Sequence, residues 1–142
     1  QLWEGGMRAQ GFVWGAGISP AVKGAPNSGL MHAADWLPTL VAAAAAAATT
    51  ATSAGSCGTL PSSQNARLLD TIERDTDGFN QWEMLSCGAA SRRTEILHNI
   101  DPVIGEASLR VGDMKLLVGV PAAPWGAESA PGDGERHSVL VK

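Results

Sequence analysis

The 142-residue sequence has no tyrosine and two phenylalanines, and its charged residues are only 17% of the total. Large core-forming side chains are correspondingly scarce. The 44% hydrophobic content is inflated by alanine, seven of them in the run Ala42–Ala48 alone. Alanine buries little area per residue, so a complete core is not expected from this piece. Two cysteines, Cys57 and Cys87, make no disulfide framework and match no metal-ligand spacing. One bridge and two buried thiols remain equally open. A net charge of −4 and a pI near 5.2 exclude the basic face a nucleic-acid partner requires. Arg92-Arg93 is the one basic cluster, with Lys115 and Lys142 scattered. No apolar run reaches the roughly 18–20 residues of a membrane helix. The best, Trp36–Ala48, is interrupted by Pro38 and Thr39, so no membrane span is expected. There is no initiator methionine, and the opening Gln1-Leu2-Trp3-Glu4 reads as the interior of a longer chain.

What is present reads as an α/β arrangement. Gly5-Gly6 is a loop signal, and Gly11-Phe12-Val13-Trp14, closed by Gly15, Gly17 and Pro20, is a short apolar run without alternation. That pattern predicts a strand buried on both faces, as in a sheet flanked by helices. Asp35 predicts a helix N-cap: its carboxylate suits the free N–H groups and positive end of a first turn, which Pro38 tolerates. Leu37, Leu40 and Val41 then form the expected buried stripe, and the alanines extend the helix by propensity. Residues 49–67, rich in Ser, Thr, Gly and Ala, predict a mobile surface loop or insertion, within a low-complexity insertion assigned to 51–76. A short helix is expected over Asn80–Ser86 with Gly88 ending it. Thr94–Ile100 predicts a strand. Leu109-Arg110-Val111, a Gly112-Asp113 turn and Met114–Val118 predict a hairpin, since a two-residue turn needs positive φ at its first position. The tail from Pro121 predicts loop or disorder with at most one last short strand at Ser138–Val141.

Three segments and the hairpin together resemble the arylsulfatase family, in its arylsulfatase B-like branch. They are Leu2-Trp3-Glu4-Gly5-Gly6-Met7-Arg8 with Gly11-Phe12-Val13, then Leu30-Met31-His32-Ala33-Ala34-Asp35-Trp36-Leu37-Pro38-Thr39-Leu40-Val41. The third runs from Asp77-Gly78-Phe79-Asn80-Gln81-Trp82 through Arg93-Thr94-Glu95-Ile96-Leu97-His98-Asn99-Ile100-Asp101-Pro102. Shared order and spacing carry more than any one motif. The resemblance implies part of an alkaline-phosphatase-like sulfatase fold. Residues 1–50 would be the last strand and helix of the large α/β domain, 77–120 a C-terminal subdomain with antiparallel strands, and 121–142 a loop or disordered tail.

The same resemblance implies sulfuric-ester hydrolysis, acting on sulfated sugars or aryl sulfates, through a formylglycine made from Cys-x-Pro/Ala-x-Arg and a calcium ion held by carboxylate and amide oxygens. It also implies a secretory or lysosomal setting. Neither cysteine fits the motif. Cys57 is followed by Gly58-Thr59-Leu60-Pro61, and Cys87 has Ala89 in place but Ser91 where the arginine belongs, with Arg92 one residue late. The family's metal-binding carboxylates, and a lysine that touches the sulfate, would precede Leu2. No catalytic residue and no metal ligand is therefore expected in this chain, and neither calcium nor formylglycine is expected to be held by it. His98, Asn99 and Asp101 are the expected substrate-proximal cluster, against the plainer reading of a strand end with Asp101-Pro102 opening a turn. Glu4 and Arg8 are expected to pair and brace the active-site loop, against an ordinary surface ion pair worth under about 1 kcal/mol. Asp35 offers a carboxylate to a metal, but capping is the stronger expectation. The alternative function is a non-catalytic, sulfatase-derived remnant or binding module.

Overall fold

In a computed structural model of the chain, residues 2–49, 63–121 and 136–141 are described. The chain forms two compact units, Gln1–Gly11 with Thr94–Lys142, and Phe12–Arg93.

The first unit holds a short helix α1 (Glu4–Met7) and four strands: β1 (Glu95–Asp101), β2 (Glu106–Val111), β3 (Met114–Pro121) and β4 (Arg136–Val141). They form one antiparallel meander in the order β1-β2-β3-β4. The expected hairpin is there, with Val111 opposite Met114 across Gly112-Asp113. Gly112 takes φ +54°, a conformation that favours glycine, and its N–H donates to Thr94 O at 2.9 Å. Gly119 likewise takes a positive φ, +71°, and its backbone also lies against Gly105 O, leaving no room for a Cβ. The tail after Pro121 is not loop throughout, because Arg136–Val141 completes the sheet as β4; its apolar Val139-Leu140-Val141 run satisfies its backbone by pairing with β3.

The two sheet faces invert the usual pattern. Ile96, Ser108, Lys115 and Leu117 are buried, and Leu117 packs with Leu2 and Trp3. The opposite face carries Leu97, Leu109, Leu116 and Leu140, paired in one row across all four strands and left exposed.

The second unit is helical. A 3₁₀ turn (Ala33–Asp35) leads into α2 (Trp36–Thr49), followed by α3 (Ser63–Asp75) and α4 (Trp82–Cys87). Gly88 ends α4 in the left-handed conformation, φ +75°, with its N–H on the Glu83 and Met84 carbonyls. Helix α2 buries Pro38, Thr39, Ala42, Ala45 and Ala46, residues at i, i+1, i+4, i+7 and i+8 that share one helical face. The expected stripe is thereby corrected: Leu37 and Leu40 are exposed and Val41 is half-buried. Small side chains face inward because they let α3 and α4 approach α2 closely.

Two further expectations are corrected. Gly11–Trp14 forms no strand, and Phe12 and Trp14 are 92% and 80% exposed. Without neighbouring strands such a run has no partner for its backbone. Residues 63–75 of the expected insertion are helical, with Leu69 buried and Ile72 half-buried. The rest of that segment, 50–62, lies outside the described residues. Cys87 is disulfide-bonded, so a bridge replaces the open choice between bridge and thiols; Cys57, the chain's other cysteine, lies outside the described residues.

Candidate functional site

The densest polar arrangement among the described residues is built on Asp35. His32, extended at φ −107° and ψ 159°, caps the 3₁₀ turn: its Nδ1 accepts from Ala34 N at 3.3 Å. Asp35 reaches back, accepting from His32 N at 2.8 Å, and closes a capping box. This corrects the expected N-cap: the cap is His32, and Asp35 is its acidic counterpart three residues on. The Asp35 carboxylate is fully buried. It also accepts from Phe79 N at 2.8 Å and from Arg93, with Nη2 at 2.6 Å and Nε at 2.9 Å. Burial pushes the Asp35 carboxyl up, but Arg93 and the His32 and Phe79 N–H groups together outweigh it and hold it below its ordinary value.

Arg93 ties the arrangement further. Its Nη2 donates to Asp77 O at 2.6 Å, and its guanidinium lies 4.8 Å from the Phe79 ring centroid. Gly78 is required between Asp77 and Phe79, since a Cβ there would collide with Ala34 O. A second set lies alongside. Thr39 Oγ1 accepts from the buried Gln81 N at 2.9 Å, and Gln81 Oε1 accepts from Arg92 N at 3.1 Å. Glu73 accepts from Asn80 N at 2.6 Å and takes both Arg92 terminal nitrogens. Beside it opens a cleft of about 200 Å³ lined by Asn80, Gln81, Glu83, Met84, Ala90 and Arg92. Gln81 Nε2 has no acceptor, yet it is shielded from solvent. Apart from that amide nitrogen, these groups pair with one another and hold the loop 77–81 to the start of α2. Sequence reasoning missed Arg93 as the partner of Asp35, because no local pattern links positions 58 residues apart.

The expected substrate-proximal residues lie on β1, where the register shifts between Leu97 and Asn99. His98 is half-buried and Asn99 exposed at that irregularity, a feature that re-aims side chains. Asp101 Oδ1 accepts from Val103 N at 2.9 Å and Ile104 N at 3.2 Å, shaping the turn into β2. Arg8 is exposed, and the side chain of Glu4 lies outside the described residues, so their pairing does too.

The groups implied by the resemblance do not fit the side chains present. Both Asp35 oxygens are taken by protein donors, and no cluster of three His, Cys, Asp or Glu among the described residues could hold a metal ion. Cys87 is committed to a disulfide and lacks the arginine of the formylglycine motif. No helix among the described residues is long and apolar enough to cross a membrane.

No protein-family profile matches the chain. Comparison with curated proteins nevertheless gives a likeness of class: the chain is homologous to an arylsulfatase over most of its length. Arylsulfatase J of Mus musculus is 33% identical to it over 139 residues, taking in 84% of this chain and 19% of the relative. The chain thus spans about a fifth of the length of that relative.

Proposed function

We propose that this chain is a C-terminal portion of an arylsulfatase-type sulfuric ester hydrolase, in which it supplies structure rather than catalytic groups. The observation that carries this is the pairing of two coverages, 84% of this chain against 19% of arylsulfatase J. Exposure of the large apolar side chains Phe12, Trp14, Leu37 and Leu40 supports it, since such side chains suit surface that a larger protein covers. The alkaline-phosphatase-like fold belongs to the whole enzyme, with residues 1–50 at the end of its large domain and β1–β3 in its small sheet. Its substrate is a sulfated sugar or aryl sulfate, and calcium and formylglycine are contributed by other parts of that enzyme.

Within the whole enzyme, His98 and Asn99 at the β1 irregularity are the residues of this chain nearest a bound sugar, and Asp101 holds the adjoining turn. Glu4 and Arg8 support the loop next to the sulfate. Hydrolysis of an aryl sulfate by the purified chain, with calcium added, tests the proposal. No turnover is expected. Turnover abolished by Cys87→Ala would overturn it.

A further inference from the structure

We draw no further inference here: the strongest candidate, the cleft at the start of α4 lined by Asn80, Gln81, Glu83, Met84, Ala90 and Arg92, belongs to the polar arrangement already described, and the orphaned Gln81 Nε2 beside it is shielded from any occupant.

Discussion

Removing Arg93 would leave the Asp35 carboxylate buried with no counter-charge. Arg93→Met should therefore cost about 3–5 kcal/mol, read as a lower urea midpoint for the helical unit. The pH dependence follows from the same pair. The folded Asp35 carboxyl sits below its unfolded value near 3.9. Its contribution is thus fully present above that unfolded value and is lost as pH falls through the lower, folded one. Urea unfolding at about pH 7 and about pH 3 should show that acid-side loss in the wild-type chain, and Arg93→Met should diminish it. Asp35 itself was legible as an acid at a helix start, because Pro38 and the apolar residues after it mark a first turn. Its role was legible only in part. A sequence read locally identifies the charge but not the arginine that meets it from the far end of the unit, nor that His32 rather than Asp35 would be the cap. Thr39 belongs here too: Thr39→Val removes the acceptor of the buried Gln81 N–H and should cost about 1–3 kcal/mol.

Helix α2 was legible as a helix and misread as to its face. Leucines ordinarily mark the inner stripe, but here α3 and α4 press against the alanine side, where small residues permit close packing. Ala42→Leu should then overpack that contact and cost about 1–3 kcal/mol, whereas Leu40→Ala should stay within about 0.5 kcal/mol of wild type in the isolated chain. Thermal melts of the two variants check this; a larger loss for Leu40→Ala would return the leucines to the core. Helix α3 was hidden by the Ser- and Thr-rich stretch before it, although Leu68, Leu69 and Ile72 stand at helical spacing. The hairpin was the most legible element, since Gly112-Asp113 between two apolar runs is a local signal that needs no distant partner. Gly11–Trp14 was the least. Its bulky residues suit a strand, but pairing is a property of neighbours, and none is present.

At the scale of the molecule, the surface left to solvent supports the proposal that the chain is part of a larger protein. The Asp35 carboxylate is fully satisfied within its unit, while Phe12, Trp14, the outer side of α2 and the leucine row of the sheet are left to solvent. The likeness to arylsulfatases was legible in short ordered motifs, and those motifs run through both units. The sequence around Cys87 has serine where the formylglycine motif requires arginine, and the proposal of a chain without catalytic groups rests on that residue. What no motif conveyed was which surfaces would be left uncovered. Hydrogen exchange on the isolated monomeric chain tests the central claim most directly. Slow exchange is expected in β2 and β3, which pair on both sides, and fast exchange at Phe12, Val13 and Trp14. Strong protection of Phe12–Trp14 in the monomer would contradict the account, because it would make these 142 residues a self-sufficient domain.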